Sequence, residues 1–305
     1  MRHQILDTGF DATVRLIAAG EGEPHATGFF YTDYAPSGVS PERAAHEWDE
    51  RIWLITNRHV LWTSAKGPRH GLDICLRDPD YTGGFKPPEP EQRIHLDAHY
   101  LAANAWLPNP HLYEEPDIAG IEIVDEIRKQ VEPWVFHHTV TEWQSAAGTT
   151  HTSERTRLRI LTRADCDDPW NVEADAGDRV LAIGYPVGGV DEVTGIPIAK
   201  GGVIATTTGW EGTQSFLVDI NQFPGASGSP IFTAPEKVIV YTPDTGKNKM
   251  IVTRPQLIGI HCGGRTDGDQ HVGLGVAWGL PWSLFAIIDP EQQPVTLAEY
   301  NAGVT

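Results

Sequence analysis

Short apolar or alternating stretches, each closed by Gly, Pro, Asp or a charged residue, run along the whole chain. That pattern over a few residues is the signature of β-strands. In the first half ATVRLIAAG, ATGFFYT, RIWLITNRHVLW and IAGIEIV read as strands. In the second, RTRLRILT, GDRVLAIGYP, GGVIATTTGW, QSFLVDI, SPIFTA, PQLIGIHCGG and VGLGVAWG form seven strand-like runs punctuated by glycine, a count that suits a small barrel or sandwich. LPWSLFAIIDP has the spacing of one short closing helix ended by Pro290. Polar segments at 33–51 and 66–93, the latter containing GGFKPPEPEQ, and the stretch 234–256 are expected to be loops. The stretch from Asp125 to about Glu154 has no clear period and is where the connection between two domains is expected.

Composition strengthens the all-β expectation. The 31 glycines and 23 prolines among 305 residues stand above a background of about 12% and are dispersed, without a repeat. A formal charge of −18, with no Lys/Arg cluster to reverse it locally, would repel a phosphate backbone, so nucleic acid is not an expected partner. The longest apolar runs, such as 284–288, fall far short of the roughly 18 residues of a membrane span, so no membrane partner is expected either. The amino terminus lacks the apolar core of a secretory signal, and Cys75, Cys166 and Cys262 are an odd, widely spaced set with no disulfide framework. A reducing cytoplasm is the expected location.

The strongest chemical signal is FPGASGSPIF, which sets Ser227 in a tight turn between Gly225 and Gly228, directly before a strand. A serine nucleophile needs an exposed hydroxyl and a bent backbone whose N–H groups face a developing oxyanion. Ser229 stands where the G-x-S-x-G elbow of α/β-hydrolases requires glycine, and the downstream segment reads as strand rather than helix. His59, in LITNRHVLW at the end of an apolar strand, is a candidate base. Asp117, in EEPDIAGIEIV, can orient it. The order is His, Asp, Ser, with the first two in one half and the nucleophile in the other, and a cleft between two domains would unite them.

Taken in order, ATGFFY, TNRHV around His59, PDIAGIEI around Asp117, GDRVLAIGYPVGG, GGVIATT, GASGSPIF and LIGIHCGG resemble the chymotrypsin-like serine proteases, nearest the bacterial high-temperature-requirement (Deg) peptidases. The resemblance spans roughly residues 12 to 288. It implies an all-β fold of two six-stranded Greek-key β-barrels with the active site in the cleft between them and a short C-terminal helix. The expected divisions are 1–140 and 141–290 for the barrels and 291–305 for a tail. It further implies His59 as general base, Asp117 as its orienting partner, Ser227 as nucleophile and the amides of Gly225 and Ser227 as oxyanion hole. Asn221, six residues before the nucleophile, falls at the base of the specificity pocket, and Cys262, Gly263 and Gly264 on the edge strand that pairs with substrate backbone. An uncharged Asn221 implies a small or medium uncharged residue before the scissile bond. The partner so implied is a protein or peptide substrate, with no cofactor.

The sequence also departs from the family. Ala226 stands where digestive members carry the aspartate that captures a new amino terminus, and Met1 and Arg2 do not resemble such a terminus. Cys262 replaces a hydroxyl beside the triad aspartate, and a thiol is a weaker donor. Only about 17 residues follow the closing helix, too few for a PDZ domain. Plainer readings apply to single residues: Ser227 in an ordinary Gly-rich turn, His59 at a strand end, Asp117 as a cap. Their conjunction favours catalysis. The pairs His95/His99 and His137/His138 lack the further ligands of a metal site. Cys75 and Cys166 fit small buried residues, Cys262 a thiol near the cleft, and the ten scattered tryptophans core packing. The competing functions are a protease-fold binding module using the cleft or the loops at 33–51, 66–93 and 234–256, and a latent protease awaiting a regulatory partner or ligand.

Overall fold

The computed structural model describes residues 9–18, 25–33, 51–63, 67–76, 92–113, 116–144, 150–166, 174–186, 196–206, 215–221, 224–242, 247–252, 255–267, 270–280 and 282–303. The apolar runs of the first half become β1 (Thr13–Ala18), β2 (His25–Thr32) and β3 (Ile52–Thr56), buried at nearly every position. Strands buried on both faces need two cores, and successive residues serve them alternately. Phe30, Ile52 and Leu54 enter a core inside the first sheet, while Phe29, Tyr31, Trp53 and Ile55 enter a second core shared with Ile183, Phe232 and Ile260 from the other half.

After β3 come the one-turn helix α1 (Arg58–Leu61) and a small hairpin of β4 (Trp62–Thr63) and β5 (Gly67–Pro68). Next are β6 (Gly71–Leu76), β7 (Gln92–Asp97), and α2 (Ala98–Asn104), whose first turn is capped by the Asp97 carboxylate accepting from the Tyr100 amide. Then come β8 (Ala105–Leu107), β9 (Ala119–Ile123), α3 (Asp125–Val135), the hairpin β10 (Phe136–Gln144) and β11 (Thr150–Leu158), and β12 (Leu161–Thr162).

Of the seven runs of the second half, RTRLRILT supplies the end of β11 and β12. The other six are β13 (Arg179–Gly184), β14 (Ile198–Ile204), β15 (Ser215–Asp219), β16 (Pro230–Thr233), β19 (Leu257–Asp267) and β20 (Gln270–Gly279). They close a barrel in the order β13-β14-β15-β20-β19-β16, filled by Val180, Ile204, Phe216, Val218, Ile231 and Ala277. A separate hairpin, β17 (Lys237–Thr242) with β18 (Lys247–Val252), branches from it. The closing helix is α4 (Trp282–Ile288), followed by β21 (Val295–Thr296) and α5 (Leu297–Ala302).

The first half forms a nine-stranded sheet, β21-β8-β9-β3-β2-β1-β6-β7 with β12 pairing in parallel on β2. It is curled, and its nine strands exceed the six expected: β12 and β21 join it from elsewhere in the chain, and seven strands remain without them. The described chain is therefore mostly β, one closed barrel beside one curled sheet. Among the described residues no helix is long and apolar enough to cross a membrane.

Several expectations are corrected. The span 66–93 is not all loop: GLDICL pairs on both sides as β6, an alternation hidden by the proline-rich stretch after it. The aperiodic stretch after Asp125 opens with α3, whose buried Val131, Trp134 and Val135 have helical spacing that the internal Pro133 obscures. Residues 140 and 141 both lie in β10, which pairs with β11 over nine residues. The stretch 234–256 holds the β17–β18 hairpin. Within the expected tail, β21 pairs with β8, Leu297 is buried in the first core, and Thr296 and Glu299 form a capping box. Residues 34–50 and 77–91 lie outside the described residues.

Candidate active site

Strand register brings the first two candidates together. Antiparallel β3 and β9 pair Thr56 with Ala119, so His59, just past the end of one strand, meets Asp117, just before the start of the other. The Asp117 carboxylate takes the ring Nδ1 of His59 at 2.6 Å and the His59 backbone N–H at 3.0 Å, while the Asn57 side-chain amide donates to the Asp117 carbonyl at 2.6 Å. A carboxylate only accepts, so Nδ1 carries a proton, and in the neutral ring the lone pair is on Nε2. The imidazole is 46% exposed and the carboxylate 24%, which leaves the ring open to an incoming group.

Ser227 occupies a turn before β16 in which Gly225 and Gly228 have φ of 88° and 89°. Side chains rarely adopt that conformation, and at Gly228 a Cβ would come within 1.8 Å of the Thr27 carbonyl oxygen. The turn is closed by the Ser229 amide on the Ala226 carbonyl, and the Gly228 amide ties it to the His261 carbonyl. Its link to the first sheet is Thr27, fully buried on β2. The Thr27 amide donates to the Ser227 carbonyl at 2.8 Å and its hydroxyl to the Gly225 carbonyl at 2.8 Å. The Thr27 hydroxyl accepts from the Tyr185 amide at 2.9 Å, and the Thr27 carbonyl accepts from the Thr56 hydroxyl at 2.8 Å. Thr56 lies three residues from His59, so a short ladder of hydrogen bonds joins the His59–Asp117 corner to the Ser227 turn.

Cys262 is the extra residue of a register shift between His261 and Gly263 on β19, a bulge that re-aims its side chain. Its thiol donates to the Val276 carbonyl at 3.1 Å, and burial, with the nearby Asp117 charge, pushes its pKa up. The thiol stays protonated at neutral pH, which disfavours thiolate reactivity. Gly263, at φ 145°, and Gly264 continue β19 opposite Val276 and Gly275. The carbonyl of exposed Asn221 accepts from Lys200 Nζ at 3.5 Å.

Thr27, Thr56 and His261 are the site residues that sequence reasoning passed over. The threonines gave a faint signal, being hydroxyl residues inside otherwise apolar strands. His261 is only 3% exposed. Burial pushes its pKa down to about 4, the charges of Lys200 and His59 act in the same direction, and the Ala226 carbonyl opposes them. It is neutral at pH 7, with its Nδ1 unpartnered among the described residues.

Elsewhere, His95 does not join His99: it sits on β7, with His99 beyond it on α2, and its Nδ1 pairs with Asp73 at 2.6 Å. The side chains of His137 and His138 lie outside the described ones. Among the described residues no group of three or more His, Cys, Asp or Glu is arranged to hold a metal. Cys75 and Cys166 are buried thiols in no disulfide, and burial pushes Cys166 up to about 12.

No family model matches the chain, and no curated protein does. Among solved structures it is similar to the HtrA-type protease AlgW with tripeptide, at 14% identity and a TM-score of 0.45, covering 92% of this chain and 60% of that one. It is similar to Deg5, at 14% identity and a TM-score of 0.42 over 90% of this chain and 87% of that one. It is also similar to the Rv3671c protease in its inactive form, at 13% identity and a TM-score of 0.38, over 90% and 87% of the two chains. The chain thus spans about 60% of the length of AlgW. At this distance the functional reading rests on the side chains of the protein itself.

Proposed function

We propose that the protein is a serine endopeptidase of the chymotrypsin-like type, with the curled sheet as its N-terminal barrel and the catalytic cleft between it and the closed C-terminal barrel. The observation that carries this is the double grip of Asp117 on His59, through ring Nδ1 at 2.6 Å and backbone N–H at 3.0 Å. It fixes the imidazole in the tautomer that can act as a base through Nε2.

In this reading Ser227 Oγ attacks the peptide carbonyl as its proton passes to His59 Nε2. The amides of Gly225 and Ser227 stabilise the oxyanion. The intermediate collapses with cleavage of the C–N bond, and the leaving amine takes the proton back from His59. Water, deprotonated by the same nitrogen, then hydrolyses the acyl-enzyme. Asp117 holds the ring and stabilises the imidazolium. Asn221 belongs to the specificity pocket, and Cys262, Gly263 and Gly264 to the edge that meets substrate backbone.

The test is labelling of purified protein by a fluorophosphonate–rhodamine probe, in which a Ser227 Oγ–P bond forms and fluoride leaves. Labelling located at Ser227 by mass spectrometry, and lost in Ser227→Ala and His59→Ala proteins that remain folded, is the expected result. Absence of label on the folded parent chain overturns constitutive catalysis and leaves the binding-module or latent reading.

A further inference from the structure

We infer that Thr27 is a positioning residue for the oxyanion-binding turn, its amide and hydroxyl holding the Ser227 and Gly225 carbonyls in place from the opposite half of the molecule. The inference rests on the peptidase reading and extends it to a residue 200 positions before the nucleophile in sequence.

Three consecutive peptide units make up the turn. The first presents the Gly225 carbonyl to the Thr27 hydroxyl, and the third presents the Ser227 carbonyl to the Thr27 amide. The unit between them carries the Ser227 N–H, one of the two proposed oxyanion donors, and its own carbonyl is taken by the Ser229 amide. Anchoring both outer units therefore fixes the plane of the middle one. The anchor matters because Gly225 and Gly228, at φ 88° and 89°, contribute no side-chain stiffness to the turn.

A hydroxyl suits the position for a second reason. The site needs one atom that donates to the Gly225 carbonyl and accepts from the Tyr185 amide, and a Ser or Thr oxygen does both. Tyr185 directly follows β13 of the barrel, so Thr27 joins first sheet, nucleophile turn and barrel through one oxygen. Thr27 is 0% exposed, so water cannot take over these bonds without opening the interface. Valine, of nearly the same shape, would leave both the carbonyl and the amide unpaired.

The experiment compares the parent protein with Thr27→Val and Thr27→Ser by the concentration dependence of fluorophosphonate–rhodamine labelling at Ser227. The phosphonyl oxygen of the probe uses the same donors as an oxyanion. A ten- to hundredfold fall corresponds to about 1.4–2.7 kcal/mol, within the range expected for loss of buried hydrogen bonds. We expect that fall in the maximal labelling rate of Thr27→Val, half-saturation within about twofold, and Thr27→Ser within about threefold of the parent. Thermal midpoints and near-ultraviolet circular dichroism confirm folded samples. If Thr27→Val does not fold, Thr27→Cys, whose thiol is a weaker donor of similar size, replaces it and is expected to label more slowly than Thr27→Ser. Parental labelling rates in folded Thr27→Val or Thr27→Cys, or equal loss in Thr27→Ser, overturn the inference while leaving the peptidase reading intact. An unlabelled parent protein overturns both.

Discussion

Gly228→Ala isolates the closest contact between the Ser227 turn and β2. Two costs add at this position. The first is conformational: at φ 89° an L-residue meets a penalty of about 1–2 kcal/mol. The second is steric. The new Cβ would lie 1.8 Å from the Thr27 carbonyl oxygen and 2.7 Å from Thr56 Oγ1. The first obstacle is backbone of a buried strand and cannot rotate away, so either β2 or the turn must move, at a further cost of about 1–3 kcal/mol. The control is Gly177→Ala. Gly177 has φ 95° with nothing within 4 Å of its Cβ position, so it carries the conformational cost alone. Each kcal/mol lowers the thermal midpoint of a domain approaching this size by about 2–4 °C. Differential scanning fluorimetry should therefore find Gly228→Ala clearly less stable than Gly177→Ala, and only Gly228→Ala should lose fluorophosphonate labelling at Ser227, because movement there separates Thr27 from the turn. Equal midpoints for the two variants, or parental labelling in Gly228→Ala, would refute the reasoning.

Two other perturbations test the chemistry of the site. Asp117→Asn keeps the size of the side chain but lets it donate, favouring the wrong imidazole tautomer. The labelling rate at Ser227 is expected to fall by about three to four orders of magnitude in a folded protein, and a fall of less than tenfold counts against the assigned roles. His261 gives a stability signature. Its folded pKa of about 4 lies below its unfolded value of about 6.5. The unfolded chain therefore binds more protons between these values, and the stability due to keeping His261 neutral is full above pH 6.5 and lost as pH falls toward 4. The loss is of order 3 kcal/mol, with Lys200 and His59 as the charges facing the ring. Urea unfolding at several pH values should show a shallower acid decline in His261→Val than in the parent, and identical slopes would exclude a buried neutral imidazole.

The legible parts of this protein are those written locally. Runs such as HATGFFYT and LIGIHCGG became strands because burial on two faces favours apolar or small residues at most positions. Six of the seven runs in the second half, punctuated by glycine and proline, are the barrel strands, while RTRLRILT belongs to β11 and β12. Misreadings came where a local signal was overlaid. Pro133 interrupts the helical spacing of α3, and the prolines after β6 coloured the strand before them. The Thr-Leu-Ala-Glu signature of a capping box was present at 296–299, but the tail's burial depends on β8, nearly two hundred residues away.

The sequence by itself determined which residue types are available for the proposed chemistry, their order, and a serine set between Gly225 and Gly228. Tertiary structure decided what holds them. The register of β3 on β9 sets the His59–Asp117 contact. The approach of β2 to the Ser227 turn places a buried threonine hydroxyl between the Gly225 carbonyl and the Tyr185 amide. Packing of β19 encloses His261 and keeps it neutral. Each of these joins residues distant in the chain. Hydrogen bonding and desolvation depend on distance in space, and a linear pattern of residues carries no measure of that.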